Sequence, residues 1–401
     1  MAGLKILNKS IIFLFLLTFA SCSTGKAVVD NTVPPEKTIP ANTAIPPVTE
    51  TIFVPPPQDD YVAIIAAGDN LYHEVMIRSG ESGDYKSAYS EIQTLTKSAD
   101  IAFINQETLL AGKDFGFSGY PQFNSPQALG RSIAEVGFNV VNHANNHAMD
   151  KGEKALLATM DFWDAYPDVT VLGIHRSEEQ RKEPALVKKN NITVGFLSYT
   201  YGTNGIPLPA GKPYLVSLIN TEKMKEEITA LRPLCDFLAV SMHWGEEYQH
   251  NYNKTQKDLA VLLASLGVDL VIGHHPHVIQ AVEYIPRPDG GQMLCFFSIG
   301  NFISAQREIP AFLGAMAYIK IRKTAAEKAE PKITAIADYG IIPVITHYEN
   351  GFTGFKVYPV YSYSEELAKR HWKDGLSMLY FRNLSSKIFL DKELLVNPFE
   401  D

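Results

Sequence analysis

The stretch Phe138-Asn-Val-Val-Asn-His-Ala-Asn-Asn-His-Ala-Met-Asp-Lys-Gly152 joins a short apolar run to a cluster of polar side chains. The β-branched residues at its start predict a buried strand, and a helical pattern begins at Lys151. The Asn and His residues from Asn142 to His147 therefore follow the carboxyl end of a strand. Ligands of open α/β sheets bind at that edge, because several strand ends meet there. The alternative is an Asn-rich turn with a surface histidine, since asparagine favours turns.

The same alternation of apolar strand-like runs and amphipathic helical segments extends in both directions along the chain. Strands are predicted over 61–67, 101–104, 169–172, 185–188, 192–199, 237–242, 270–272 and 293–299. Helices are predicted over 151–166, 220–231 and 255–266, and another is expected to begin at Ser125-Pro126, with the serine hydroxyl as its cap. Strands over 315–321, 333–337 and 355–360 are expected to complete a second sheet, followed by helical character over 364–385. The pattern predicts an α/β fold.

Several of these strands end in side chains that can bind a metal ion. Mixed carboxylate, amide and imidazole ligands suit Mn²⁺, Fe or Zn²⁺ better than Ca²⁺ or Mg²⁺. Such a set can hold two divalent ions with one carboxylate bridging them, and two ions can activate water and stabilise a leaving oxygen. His147 is then free to protonate the leaving group. The candidate metal ligands are Asp69, Glu107, Asn146, His243, His275 and His277.

Each candidate ligand also has a structural interpretation when it is considered alone. Asp69 could belong to a turn, and Glu107 could be a carboxylate at a helix start. His243 could pair with Trp244 in the core, and the His274-His275-Pro276-His277 segment could be a solvated loop. The recurrence of histidine at separate strand ends favours one shared site over independent accidents.

The first 60 residues differ in composition from the rest. Lys5 and Lys9 precede an apolar run over 11–20 and Cys22, which is the order of a secretory signal. Phe19-Ala20-Ser21-Cys22 resembles a lipobox, which predicts a lipoprotein signal peptide over 1–22, a lipidated Cys22 and a membrane-anchored, extracytoplasmic protein. The alternative is an ordinary signal peptide cut near Ser21. Residues 23–60 are rich in Pro and Thr and predict a disordered tether, and 61–401 form the folded body.

The net charge bears on the expected partners, and the cysteines bear on the expected disulfides. The formal net charge is −8 with no basic run, so nucleic acid is excluded as an expected partner. Cys235 and Cys295 accompany apolar runs, which favours two buried thiols, with a bridge between them as the alternative.

Motifs from about Val62 to Phe302 resemble, in order, those of the bacterial capsule-synthesis CapA family, also called poly-γ-glutamate biosynthesis proteins. They comprise Gly68-Asp69, Asn105-Gln106-Glu107, Asn145-Asn146-His147, His243-Trp244-Gly245 with Glu246 and Tyr248, Gly273-His274-His275-Pro276-His277, and Ser298-Ile299-Gly300-Asn301-Phe302. The resemblance gives a motif core over 61–305 and leaves 306–401 as C-terminal strands and helices. The family is similar to calcineurin-like metallophosphoesterases, which implies a four-layer α/β/β/α sandwich of two mainly mixed sheets with two metals at the strand ends.

The resemblance also implies individual roles. Asp69 and His277 correspond to ligands of the first metal, Glu107 stands where the superfamily has a bridging Asp, and His147 corresponds to the acid. Asn146, His243 and His275 correspond to further ligands. The superfamily's Asp-x-His is absent, because His73 lies four residues after Asp69. The longer Glu107 side chain is a second departure, and together they leave the number of metals open.

Residues near the motifs are candidates for substrate binding: His73, Trp244, Glu246 and Tyr248. His143 is expected to support the loop rather than bind metal. The first functional hypothesis is a metal-dependent hydrolase outside the cell, acting on a phosphoester, ester or amide of a surface polymer such as poly-γ-glutamate or capsular polysaccharide. The second is a non-catalytic subunit that binds polymer or polymer-synthase subunits, and a third is metal binding for stability alone. The acidic charge disfavours tight binding of polyanions.

Overall fold

The apolar, β-branched runs of the body form two β-sheets in the computed structural model, which describes residues 58–80, 84–325, 333–389 and 397–399. The predicted signal segment, Cys22 and the tether up to residue 57 lie outside these ranges. The strands are β1 Asp60–Leu71, β2 Ile101–Gln106, β3 Val140–Asn142, β4 Thr170–Leu172, β5 Ala185–Lys189, β6 Ile192–Thr200, β7 Phe237–His243, β8 Leu270–His274, β9 Val282–Pro286, β10 Gln292–Phe296, β11 Asn301–Ser304, β12 Leu313–Lys323, β13 Thr334–Glu349 and β14 Thr353–Pro359.

The first sheet has eight strands and is built around β1. Strands β1 to β4 lie side by side and parallel, so their carboxyl ends share one edge. On the other side of β1, β12 pairs antiparallel with its first half and the short β11 pairs parallel with its end. Strands β13 and β14 extend the sheet beyond β12.

The second sheet has the order β5-β6-β7-β8-β10-β9. Its four central strands are parallel, and the edge strands β5 and β9 are antiparallel to their neighbours. The carboxyl ends of β7 and β8 are therefore neighbours, as those of β1, β2 and β3 are in the first sheet.

The two sheets face each other across one apolar core. Side chains of both sheets belong to the same buried cluster, and the Phe103 ring of β2 stacks on the His274 ring of β8 with centroids 5.7 Å apart. Along β7 the alternation of a strand sends Ala239 into this core and Leu238 and Val240 to the outer face. Helices cover that outer face, so the predicted four-layer sandwich of two mixed sheets flanked by helices is confirmed.

The helices connect the strands and begin at recognisable caps. The Asn220 side chain accepts from the Lys223 amide at the start of α6, and Asn253 forms a capping box with Gln256 at α7. The α-helices are α1 Glu74–Ser79, α2 Gln93–Ser98, α3 Gln127–Glu135, α4 Gly152–Trp163, α5 Glu178–Arg181, α6 Thr221–Leu231, α7 Lys254–Ser265, α8 Glu365–Arg370 and α9 Met378–Phe389. None of the helices in the described ranges has the length and apolar character to cross a bilayer.

Two expectations from the sequence are wrong. Strands β12 to β14 extend the first sheet and do not complete the second, because β1 offers them an unpaired edge. The Ser125 hydroxyl does not cap α3; it is hydrogen-bonded to the Thr108 hydroxyl at 2.8 Å, and Pro126 occupies the cap position.

Candidate metal centre

The six predicted ligands meet where the carboxyl edges of the two sheets face each other. Asp69 lies inside β1, which runs past it to Leu71, and Glu107 directly follows β2. The loop after β3 carries Asn146, and the second sheet supplies His243 at the end of β7. His275 and His277 follow β8. All six side chains are buried.

Two three-ligand groups share Glu107. Ligand atoms of Glu107, His243 and His275 lie within 4.8 Å of one another, and so do those of Asp69, Glu107 and His277. The side-chain oxygen Oδ1 of Asn146 lies 2.9 Å from His243 Nε2 and adds a possible metal-ligand atom to the first group. This is the arrangement that a bridging carboxylate between two cations requires.

The environment of Glu107 is the clearest indication of a bound cation. Both of its carboxylate oxygens are buried and lack a hydrogen-bond partner. Burial, and then the negative charge of Asp69, raise its pKa well above the usual value. A buried carboxylate without partners is costly, and a bound cation removes that cost. The side chains present therefore fit a divalent metal centre.

The histidines of the two groups differ in protonation. Burial lowers the pKa of His275 to about 3 and that of His243 well below its usual value, so both are neutral ligands. Burial acts in the same direction on His277, but the charges of Glu107 and Asp69 raise its pKa to about 9. Without metal, His277 is thus protonated near neutral pH, and metal binding must release its proton.

The loops that present these ligands hold unusual backbone conformations. His275 and His277 have φ of 95° and 60°, and Tyr248 has φ of 63°. All three values lie in the left-handed region, which residues other than glycine rarely adopt. A Cβ at Gly273 would lie 2.0 Å from the Phe297 carbonyl oxygen, so only glycine fits before the histidines. Strain of this kind persists where surrounding structure enforces it and is concentrated at functional sites.

His147 is held beside this centre by a residue that the sequence analysis did not single out. Its Nδ1 lies 2.7 Å from Asp150 Oδ2, and both side chains are buried. The same carboxylate oxygen accepts from the Phe123 amide at 2.6 Å, which fixes its position. The spacing His-x-x-Asp within the first stretch was the available signal for Asp150.

Amide side chains hold the carboxylate of Asp69 in place. Asn105 Nδ2 donates to Asp69 Oδ1 at 2.8 Å, and Asn142 Nδ2 donates to Asn105 Oδ1 at 2.8 Å. Asn301 Oδ1 lies 3.0 Å from His277 Nδ1. Although burial acts in the opposite direction, His274 and His277 hold the pKa of Asp69 well below its usual range.

The predicted substrate contacts divide into two groups. Tyr248 is half-exposed and its ring lies 6.1 Å from that of His277. His73 packs against Phe123, which also contacts His147, so His73 borders the site without joining a ligand group.

The other two predicted contacts point away from the centre. Trp244 is buried in the outer core and donates to the Phe297 carbonyl, so it offers no surface to a substrate. Glu246 faces Asn253 of the α7 cap at 3.4 Å. Its neighbour Glu247 instead lies within 4.8 Å of the ligand atoms of His275 and His277, on the exposed side.

His143 behaves as the sequence analysis expected, and so do the two cysteines, except that Cys235 is only partly buried. His143 supports its loop, because its Nε2 accepts from Trp163 Nε1 at 2.9 Å. Cys235 and Cys295 are free thiols.

Comparisons with known proteins agree with the motifs. The sequence model of the family described as "Bacterial capsule synthesis protein PGA_cap" matches residues 63–306. The chain is 26% identical over 274 residues to the PGA biosynthesis protein CapA of Bacillus subtilis (strain 168), which covers 64% of this chain and 67% of that protein. It is 30% identical over 181 residues to the capsule biosynthesis protein CapA of Bacillus anthracis, covering 44% of this chain and 42% of that protein.

Solved structures with a similar arrangement include the NAD nucleotidase of Haemophilus influenzae, with 9% identity and a TM-score of 0.45, covering 84% of this chain and 65% of that one. A putative 5'-nucleotidase from Staphylococcus aureus gives 14% identity and a TM-score of 0.43, covering 71% and 54%. These values are too low to say anything about the activity of this chain.

Proposed function

Since the chain belongs to the bacterial capsule synthesis protein family, we propose that it is a metal-dependent hydrolase that acts on a bond of a cell-surface polymer. The observation that carries the proposal is Glu107, which is buried, lacks hydrogen-bond partners and belongs to two ligand groups at once. A pure scaffold has no physical need for a carboxylate in that position, because burial without a cation destabilises it.

The two ligand groups would hold divalent cations, which when bound would supply Lewis-acid polarisation of the substrate and activation of water near neutral pH. Asn105 and Asn301 orient the ligands Asp69 and His277 through the contacts described above. His147 stands at the edge of the centre with Nδ1 engaged by Asp150, so its Nε2 is the atom that faces a leaving group. The Asp150 carboxylate stabilises the protonated imidazole and fixes its orientation, which suits a general acid.

The location and partners follow from the same proposal. The protein acts outside the cell, anchored to the bacterial membrane through lipid on Cys22, and works beside polymer-synthase subunits. Replacing Cys22 with Ser should move the protein from the membrane fraction to the medium or periplasm and abolish labelling by fatty acid. Membrane retention and labelling of the Cys22→Ser variant would contradict the anchor.

Elemental analysis of the full chain tests the metal centre. We expect close to two transition-metal ions in the parent protein and a marked loss in Glu107→Ala. The double replacement of His275 and His277 by Ala should remove both ions. His250→Ala is a matched control, since His250 lies outside the ligand groups and contacts the Ile279 carbonyl.

If the metal-loaded parent protein hydrolyses a simple phosphodiester or ester and the variants do not, the result would support the proposal that the protein is a hydrolase. If the parent protein takes up no Mn²⁺, Fe²⁺ or Zn²⁺, the hydrolase proposal fails and a non-catalytic assembly subunit is the better account.

A further inference from the structure

Three exposed tyrosine rings surround the metal centre. Tyr120, Tyr201 and Tyr248 are 79%, 48% and 43% exposed, although large apolar rings are normally covered. Single exposed rings need no explanation, but here three of them share one location. We refer to these three residues as the tyrosine rim.

Each ring of the tyrosine rim is connected to a residue of the centre. The Tyr201 ring lies 4.6 Å from that of His275 and is stacked parallel to His243 at 6.4 Å. The Tyr248 ring lies 6.1 Å from His277. Tyr120 contacts Phe123 at 6.5 Å, and Phe123 packs on His147 at 4.6 Å. The rim therefore faces both the ligands and the acid.

Hydrogen bonds fix two of the three rings. Tyr201 donates its hydroxyl to Asn204 Oδ1 at 3.3 Å, and the same oxygen accepts from Asn146 at 3.2 Å. Tyr248 accepts from Gln306 Nε2 at 3.1 Å, and its left-handed backbone is held by a hydrogen bond from its amide to the Pro276 carbonyl at 2.8 Å. Rings that are held in place while exposed lose little entropy when a ligand covers them.

The charges around the rim are negative. Glu247 lies beside His275 and His277 on the exposed side, and Glu308 lies two residues after Gln306, which donates to Tyr248. Among the described residues, no hydrogen bond or ion pair joins a lysine or arginine to the rim or to the metal-ligand groups. Asp69, Glu107 and Glu247 would offset most of the charge of two bound divalent cations, and no basic side chain bonded to the rim among the described residues adds to it.

We propose, resting on the proposed function, that the substrate presents sugar rings to the tyrosine rim, so that the polymer is a saccharide and not a polyglutamate chain. Sugar rings have apolar C–H faces that pack on aromatic rings, and their hydroxyls pair with carboxylates and amides. The rim supplies those rings, while Glu247, Asn204 and Gln306 supply the polar partners. A linear polyglutamate chain has no ring to cover the tyrosines, and its carboxylates face like charges.

Binding measurements on the full chain test this assignment. The probes are neutral tetrasaccharides of glucose, galactose, N-acetylglucosamine and N-acetylgalactosamine, a γ-linked glutamate decamer, and adenosine monophosphate as a stacking nucleotide. Saturation-transfer NMR detects contact and titration calorimetry gives the affinity. We expect one or more tetrasaccharides to bind, with saturation transferred to the C–H protons of a ring face.

Variants of the rim separate stacking from other contacts. The double variant Tyr201→Ala/Tyr248→Ala should bind saccharide about tenfold more weakly or worse, whereas Tyr201→Phe/Tyr248→Phe keeps both rings and should retain most of the affinity. Tyr284→Ala is the matched control, since Tyr284 is a half-exposed tyrosine on the edge strand β9 and packs on Tyr339. It should leave binding unchanged.

Four results would overturn the inference: no tetrasaccharide binds, the glutamate decamer binds more tightly than every saccharide, the nucleotide does so, or the Ala variant binds as well as the parent. Metal content measured on the same samples keeps the two proposals apart. If the protein binds saccharide but holds no metal, the hydrolase proposal fails and the saccharide proposal stands. If it holds metal but binds no saccharide, the saccharide proposal fails and the hydrolase proposal stands.

Discussion

Replacement of Asp150 by Asn tests the most specific element of the proposed mechanism. Asp150 Oδ2 accepts from both His147 Nδ1 and the Phe123 amide, so an asparagine oxygen can occupy the same position and keep both contacts. The variant therefore removes a charge and keeps the size of the side chain, while its amide nitrogen takes the place of Oδ1, which is buried and has no hydrogen-bond partner. The loss is the difference between a charge-assisted hydrogen bond, about 1.5–3 kcal/mol, and the neutral one that replaces it, about 0.5–1.5 kcal/mol, and so is about 1–1.5 kcal/mol.

This loss should appear only where His147 must give up a proton. It corresponds to about a 5- to 13-fold fall in kcat for a diester with an alkoxide leaving group. With a p-nitrophenolate leaving group, which departs without protonation, the fall should be small. His147→Gln should show the same dependence on the leaving group, with a larger loss.

The assay is steady-state hydrolysis of the two diesters by the metal-loaded full chain, with urea unfolding of each variant as a check on folding. Equal losses for both leaving groups at unchanged stability would mean that Asp150 acts through the metal centre and not through an acid. Unchanged rates for both would remove His147 from the chemistry altogether.

Three further predictions follow from other contacts. Burial lowers the pKa of His143 to about 3, below its unfolded value near 6.5, so His143 should contribute about 1.4 kcal/mol to the loss of unfolding free energy between pH 7.5 and pH 5.5; in urea titrations His143→Gln, which keeps an acceptor for Trp163, should lose less than the parent by that amount. Glu247→Gln should weaken Mn²⁺ binding in a chelator competition, and equal affinity in Glu247→Gln and Glu246→Gln would contradict a role for Glu247 at the metal. Trp244→Ala should cost about 3–5 kcal/mol in urea unfolding, and a stable variant would show that Trp244 is not a core residue.

Local sequence patterns were sufficient to predict those strands that are buried along their whole length. Central strands such as β7 and β8 are apolar along their whole length, so the sequence identifies them and places His243 and His275 at their ends. The meeting of the six candidate ligands was predictable for the same reason, because parallel strands bring their carboxyl ends together. What brings the two sheets face to face is not local, and it rested on the family resemblance.

The errors arose where neighbours in sequence point in different directions. Alternation along and just after β7 sends His243 into the site and Trp244 into the outer core, although both belong to one motif. Further along the same loop Glu247, and not Glu246, faces the histidines, and Tyr248 after it has a left-handed backbone. Such a conformation at a tyrosine is enforced by tertiary contacts and leaves no mark in composition.

The pairing of β1 with β12 has a consequence for how the chain is made. The family match ends at residue 306, yet the partner of the first half of β1 lies beyond it, with Asp60 opposite Lys323. The chain must therefore be available as far as Lys323 before its first strand can complete its sheet. Folding dominated by such distant pairings is slow, and its unpaired edges are exposed to aggregation in the meantime. A chain shortened at the family boundary should leave β1 as such an edge.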